Sequence, residues 1–412
     1  MTTEYFKQKF DTNTKNLLYK RRIIEYIINT GPETLPTLAR QLEVSVPTIS
    51  KMVSEMCSTQ LLKNYGKLEA TSGRHPFLYG LNGQEYHFLG VDVTTDQLNM
   101  VLINLRGEQV QEKMAIPFPL ANTDECLALL LRAITSFIDN EMSITREQLI
   151  SIGLNIPGRL NQRTGYSYSY FNFSPIPIST YLSEKIGIPF FIDNDSRASA
   201  YGEYMMHYKE SGENLLFVQC AWGLGLGMII NGEPYIGKSG FSGEFGHTHA
   251  YANEVLCHCG KKGCLETEAS GSALHRKLMQ RIKEGEQSIL NNTEGRENEE
   301  CTFSLNDIIR AIQSEDILCI ESIEEVGAQL GLHIANLINI FNPDVVVIGG
   351  ALARTGDYLL QPIRTAIRKY SLNMVNQDTD LRQSLLLRYA GVMGAALLAR
   401  KKSIEQITQS NS

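Results

Sequence analysis

FLGVDVTTDQLNMVLIN, residues 88–104, is a pair of apolar runs of strand length with a polar turn between them. Runs of the same kind recur at 149–155 (LISIGLN), 189–194 (PFFIDN), 214–222 (NLLFVQCAW), 226–232 (LGMIING) and 344–350 (DVVVIGG). Helical stretches lie between them, among them 125–140 and 323–341. This alternation predicts an α/β body whose ligands sit beyond the carboxyl ends of the strands. The body is too long for one compact lobe, so two lobes around a cleft are expected. Asp92, Asn155, Asn194, Asp195 and Gly349-Gly350 fall at the ends of runs, where polar groups can converge on a ligand without being buried unpaired.

In front of this body the pattern is different. Ile24, Ile27 and Ile28 form a helical stripe after the basic run Lys20-Arg21-Arg22, and Leu35, Leu38, Ala39 and Leu42 form a second. After the short connection Glu43-Val44, Ser45 is a good N-cap and Pro47 is tolerated in the first turn. Ile49, Met52, Val53 and Met56 then repeat the apolar spacing. Ser45, Pro47, Thr48, Ser50 and Lys51 are left on the outer face near the helix N-terminus, small enough to enter a major groove. The following KNYGKLEATSGRHPFLYGLN reads as a β-hairpin wing, with Arg74 placed to enter a narrow minor groove. Residues 1–82 are expected to be a winged helix-turn-helix that binds double-stranded operator DNA. The alternative is a small helical bundle used for protein contacts.

Charge and cysteine usage fit this division. Residues 1–80 carry 11 Lys/Arg and 7 Asp/Glu, a balance of +4, while the rest carry 27 and 38, a balance of −11. The chain is 43% apolar and 20% charged, which excludes a disordered or collagen-like protein. No stretch reaches the roughly 18 consecutive apolar residues of a membrane span, and the polar start MTTEYFKQKFDTNTK lacks a hydrophobic signal core. A cytoplasmic protein without a membrane partner is expected. Three of the eight cysteines crowd into Cys257-His258-Cys259-Gly260-Lys261-Lys262-Gly263-Cys264. Such a loop can wrap one ion, and zinc is the default for three Cys and one His. The fourth ligand has three candidates by position: His247, His249 and, inside the loop, His258.

Gly243-Glu244-Phe245-Gly246-His247, followed by Cys257-x-Cys259-Gly260-x-x-Gly263-Cys264-Leu265-Glu266, resembles the signature of the ROK family of repressors, uncharacterised reading frames and sugar kinases. Gly153-x-x-Ile156-Pro157-Gly158, Phe171-Asn172, Asp193-Asn194-Asp195 and Ile348-Gly349-Gly350 extend the resemblance over residues 15–400. Head and body together are most similar to the family's N-acetylglucosamine- and glucose-responsive repressors. The resemblance implies an actin-like (ribonuclease H-like) sugar-kinase fold of two lobes behind the winged head. The first lobe would span 83–195, completed by a C-terminal helix at 386–406, and the second 196–385, with the zinc loop and a dimer interface. It also implies a sugar or sugar phosphate held by Pro157, Gly158, Asn172, Asn194, Asp195, Glu244, His247 and Glu266. The implied metal ligands are His247, Cys257, Cys259 and Cys264, holding one structural zinc per chain. A homodimer, or a tetramer, would carry the paired heads.

Asp195 matches the catalytic base of the family's kinases, so an ATP-dependent sugar kinase is the alternative function. Those kinases cradle phosphate with an Asp-x-Gly-x-Thr type turn after the first strand. Here the turn reads Asp92-Val93-Thr94-Thr95-Asp96. Threonines stand in place of its glycines and a carboxylate in place of its hydroxyl, which opposes a phosphate by bulk, backbone restriction and charge. At the second phosphate turn Gly223, Gly225 and Gly227 remain, but Trp222 replaces the usual threonine. The expectation is a sugar-responsive repressor with a vestigial base and no enzyme activity; an activator remains open.

Overall fold

The computed structural model describes residues 14–68, 76–210, 214–292 and 303–407. The chain divides into two compact units, Met1–Ala198 with Val392–Ser412, and Ser199–Gly391. In the first unit the head consists of α1 (Thr14–Thr30), β1 (Glu33–Thr34), α2 (Leu35–Leu42), α3 (Val46–Ser58), β2 (Leu62–Lys67) and β3 (Phe77–Leu81). Its strands form an antiparallel sheet in the order β1-β3-β2. The predicted apolar stripes are its core: Ile24, Ile27, Leu38, Leu42, Ile49, Met52, Val53 and Met56 are all buried. Thr34 caps α2 and Ser45 caps α3, each accepting from the backbone N–H three residues on. Glu43 closes α2 in the left-handed region at φ 54°.

The rest of the first unit is built on β4 (His87–Val93), β5 (Gln97–Asn104), β6 (Gln109–Pro117), α4 (Asp124–Ser136), β7 (Leu149–Ile156), the short pair β8 (Leu160–Asn161) and β9 (Tyr166–Ser167), α5 (Ile178–Ile186), β10 (Phe190–Asn194) and the first turn of α6 (Asp195–Glu203), in which the unit ends at Ala198. The five-stranded sheet runs β10-β7-β4-β5-β6, with β10, β7 and β4 parallel and β5 and β6 antiparallel. Every residue of β4 and β7 is buried, as strands covered on both faces require. One face packs against α4 and α5 through Leu130, Ile134, Leu182 and Ile186. The other seats the C-terminal helix Ala390–Gln406. Gly90 and Gly153 are register partners, and a Cβ there would stand 2.2 Å from Val392 O and 2.0 Å from Ala395 O. Only glycine lets a helix backbone lie this close to the sheet.

The second unit carries β11 (Leu215–Cys220), β12 (Leu224–Ile230), β13 (Glu233–Pro234), α7 (Gly271–Lys283), α8 (Leu305–Gln313), α9 (Ile317–Phe341), β14 (Val345–Gly349), α10 (Asp357–Tyr370), α11 (Asn373–Asp378) and β15 (Asp380–Gln383). Its sheet order is β13-β12-β11-β14-β15, with β11, β14 and β15 parallel. Leu274, Ile308, Ile323, Leu330, Ile363 and Ile367 from its helices join the strand residues in one core.

Candidate functional site

The head exposes what the capping of α3 predicts. Ser45, Pro47, Thr48, Ser50 and Lys51 are all exposed around its first turns, while Ile49 is fully buried beneath them. Ser45 Oγ accepts from Thr48 N at 3.3 Å, which holds the helix entry in place. The basic run contributes less to the surface than its charge suggests. Lys20 is buried and pairs with Glu55 at 2.8 Å, and Arg21 pairs with Glu25 at 2.6 Å. Arg74 lies outside the described residues.

In the first unit, sheet register lines up a row of polar side chains. Asn99 on β5 faces Asp92 on β4, Asp92 faces Asn155 on β7, and Asn155 faces Asp193 on β10. All four are buried. Arg197, one turn into α6, closes the row with Nε donating to Asp193 Oδ1 at 2.5 Å. Burial, then the charge of Asp195, push Asp92 up to about 7 against hydrogen bonds from Asn99 and Asn155. Asp195 itself is pushed up to about 6 by burial, opposed by hydrogen bonds from Ser196 and its own backbone and by the charge of Arg197. A carboxyl in this range can give or take a proton near neutrality.

Next to this row the predicted sugar contacts are joined to one another. Asn194 Nδ2 donates to Gly158 O at 3.0 Å, while its Oδ1 accepts from Ser196 N at 3.0 Å. The Pro157-Gly158 turn connects onward to an aromatic loop, since Arg159 N donates to Ser169 Oγ and Tyr168 N to Arg159 O, both at 2.9 Å. Asn172 in that loop is exposed, but its amide is engaged: Nδ2 donates to Tyr168 O at 2.8 Å and Oδ1 accepts from Asn122 Nδ2 at 2.7 Å. Nothing in the sequence marked Asn122, because a lone Asn before a helix cap reads as part of the loop.

In the second unit, Gly243–His247 lies flat on β12, and Cβ atoms at Gly243 and Gly246 would stand 2.0 Å from Leu226 O and 2.3 Å from Leu224 O. This fixes the backbone that presents Glu244 and His247. His247 Nδ1 stands 3.6 Å from Cys257 Sγ, and Cys259 Sγ stands 3.7 Å from Cys264 Sγ. Donor atoms of these four residues all lie within 4.8 Å of one another. A tetrahedron with zinc–sulfur bonds of about 2.3 Å and a zinc–nitrogen bond of about 2.05 Å has edges of about 3.8 Å and 3.6 Å. The donor set therefore fits a metal ion. Of the candidate histidines outside the loop, His247 joins the set, whereas His249 pairs with Cys264 in a β-bridge. As bare thiols the three are poorly matched: burial pushes Cys257 up to about 12 and raises Cys264. Cys259 sits below its ordinary value because hydrogen bonds from Lys261 N–H and the neighbouring thiols outweigh its burial. A bound cation favours all three thiolates together.

Glu266, beside the cluster, is buried with both oxygens engaged. Oε2 accepts from Leu224 N at 2.9 Å, and Oε1 lies 2.9 Å from His258 Nδ1. Burial would raise this carboxyl, but the hydrogen bonds from His258 and Leu224 and the charges of His258 and His247 hold it below the usual range. The Glu244 carboxylate stands 3.8 Å from His247 Nε2, on the ring edge away from the cysteines.

The two turns weighed for phosphate are also defined. Thr94 closes the first upon itself, with its N donating to Gln97 O at 2.8 Å and its Oγ1 accepting from Gln97 N at 3.0 Å. The same hydroxyl donates to Asp96 Oδ1 at 3.1 Å. At the second turn Trp222 is 43% exposed and its ring lies 5.5 Å from that of His275.

Residues 88–402 match the ROK family. The chain belongs to that family. Its two-lobed, actin-like α/β fold is the one expected from the strand pattern and the motifs. The xylose repressor of Bacillus subtilis (strain 168) is 26% identical over 391 residues, covering 94% of this chain and 96% of its own. The glucokinase of Halalkalibacterium halodurans is 31% identical over 321 residues, covering 76% of this chain and 95% of its own. The crystal structure of a ROK family transcriptional regulator, a homolog of the E. coli MLC protein, superposes with a TM-score of 0.80 at 28% identity. It covers 96% of this chain and 98% of that one. The ROK match begins after the head and contains the sugar-contact and metal-ligand candidates of the body. The two regulators match more than nine-tenths of this chain, head and body, whereas the glucokinase matches 76% of it.

Proposed function

We propose that this protein is a sugar-responsive transcriptional repressor acting in the cytoplasm. The observation that carries the reading is one chain joining a winged helix-turn-helix to a ROK body, with small polar side chains exposed at the N-terminus of α3. Two copies would place two α3 helices in successive major grooves of a palindromic operator. Ser45, Pro47, Thr48, Ser50, Lys51 and Arg74 make the DNA contacts. The similarity to a xylose repressor and to an MLC-like regulator across head and body supports this assignment.

The effector is a sugar or sugar phosphate, and its proposed contacts are Pro157, Gly158, Asn172, Asn194, Asp195, Glu244, His247 and Glu266. Carboxylates and amides suit a polyol because they hydrogen-bond adjacent hydroxyls in pairs. Zinc, held by His247 Nδ1 and the thiolates of Cys257, Cys259 and Cys264, would supply a structural cross-link with no open position. His247 Nε2 is left on the Glu244 side, and ligation at Nδ1 fixes its tautomer as a donor. Binding releases the operator, and a typical coupling would change its affinity about 5–150-fold.

A sugar kinase is the second reading, favoured by the near-neutral Asp195 and the glucokinase similarity. The self-closed Thr94 turn with the Asp96 carboxylate inside it weighs against nucleotide binding. The test is a melting-temperature screen of D-xylose, D-glucose, N-acetylglucosamine and their phosphates, repeated with a duplex selected in vitro for binding. A sugar that raises the melting temperature and releases the duplex is expected. Duplex binding that ignores every stabilising sugar would overturn the reading.

A further inference from the structure

The turn from β5 to β6, Asn104-Leu105-Arg106-Gly107-Glu108, touches three other parts of the first unit. Toward the head, Arg106 Nη1 donates to Tyr65 Oη at 2.9 Å. Tyr65 sits on wing strand β2 and donates in turn to Leu81 O at 2.8 Å. Toward the connector, a Cβ on Gly83 would stand 2.8 Å from Asn104 Nδ2 and 3.3 Å from Arg106 Nε. Toward the C-terminal helix, Arg400 is buried and its Nη1 donates to Leu105 O at 3.1 Å.

Within the turn, Arg106 is held in one orientation. Its Nε donates to Glu108 Oε2 at 2.9 Å, and its Nη2 donates to the same carboxylate. Asn104 Nδ2 also donates to Glu108 Oε2, at 2.9 Å, while Asn104 Oδ1 accepts from Arg106 N at 2.9 Å and Glu108 N at 3.2 Å. A hairpin turn needs no such network to reverse the chain, and a surface Arg–Glu pair alone stabilises little. What the network does is aim a guanidinium at a phenol in another domain. The ordering entropy of the arginine is already spent before that contact forms.

Elsewhere among the described residues, Tyr86 Oη donates to Thr59 O at 2.6 Å, and Gln148 Nε2 donates to Gln84 O in the connector at 3.0 Å. These reach the end of α3 and the connector, whereas the bond from Arg106 reaches the wing. The helix bearing Arg400 is also the segment in which the chain leaves the second unit, at Gly391, and re-enters the first, at Val392. A buried guanidinium thus joins that helix to Leu105 O, in the same turn as the Arg106 that meets Tyr65.

We infer that Arg106 is a positioning residue that ties the wing to the body through Tyr65 and passes the sugar-bound state to the reading head. This rests on the sugar-responsive repressor reading above. The test uses full-length wild type, Tyr65→Phe and Arg106→Ala. The probes are a duplex selected in vitro on the wild type and whichever sugar of the panel weakens its binding most. For each protein, the ratio of duplex Kd with sugar to that without is measured, together with the sugar Kd of the DNA-free protein. Both variants should bind sugar within twofold of wild type, while the ratio falls at least threefold toward one. A merely structural role would weaken duplex binding equally with and without sugar, leaving the ratio where it was, and that result would overturn the inference. Tyr65→Phe removes a single oxygen, so it decides alone if Arg106→Ala does not fold. A wild type whose duplex binding no sugar alters sinks the underlying reading, and the inference with it, before any variant is made.

Discussion

The Asp92 carboxyl is raised well above its ordinary range, and the shift has a simple origin. Three strands place Asn99, Asp92 and Asn155 in register, so a carboxyl is buried between two amides with a second carboxyl, Asp195, near it. Its folded value of about 7 lies above the ordinary 3.8. For a raised acid the associated stability is fully present below about pH 4 and is lost as pH rises through about 7. Asp92→Asn keeps the shape and removes the charge. Its stability advantage over wild type, followed by denaturant unfolding, should grow by about 2–3 kcal/mol between pH 5 and pH 8. An advantage that stays constant with pH would show that Asp92 is already ionised in the fold at pH 5, and that its carboxyl is not raised. Asp92 and Asn155 were legible as residues at the ends of apolar runs. Asn99 was not, because a mid-strand Asn reveals its partner only once register is known, and Asn122 reveals its hold on Asn172 only once the loop is folded.

Among the elements, the loop from His247 to Glu266 was the most legible, because metal-ligand spacing is a local property. What spacing left open was which histidine completes the set; in the fold His247, held on a flat run of backbone against β12, has a donor atom within 4.8 Å of each of the three thiols. Cys259→Ser should lower the metal content from one ion per chain toward zero and reduce the melting temperature, as measured by elemental analysis and calorimetry; a stoichiometric, fully stable variant would contradict the ligand assignment. The apolar stripes and Ser45 cap of the head were legible too, since they are short-range signals. Longer elements were less so. The helix ending at Phe341 begins at Ile317 rather than 323, capped by Asp316, and Ile317 at 73% exposure breaks the apolar pattern in its first turn. The C-terminal helix begins at Ala390 rather than 386, with a 3-10 turn at Leu387–Tyr389 before it. Gly153 read as part of a family motif, yet in the fold it is half of the seat for that helix, a role that depends on a segment more than 200 residues away.

At the scale of the whole molecule, the question is whether a body similar to both repressors and a glucokinase still transfers phosphate. Phosphoryl transfer depends almost wholly on positioning and electrostatic stabilisation, so a base without a phosphate cradle achieves little. Asp195 retains a base-like environment, and its value of about 6 follows from burial whether or not a nucleotide ever binds. At the first turn the groups are already engaged with one another. Thr94 uses its own N–H and hydroxyl to close the turn, and Asp96 holds a negative charge against that hydroxyl. Each change opposes a phosphate independently, so restoring one would leave the others in place. Full-length protein with magnesium ATP and the sugars of the panel should therefore form no sugar phosphate above the background set by Asp195→Asn, as followed by mass spectrometry of the sugar pool. Turnover that is clear in the wild type and absent from Asp195→Asn would make the base catalytic, and the winged head would then serve a kinase instead of a sensor.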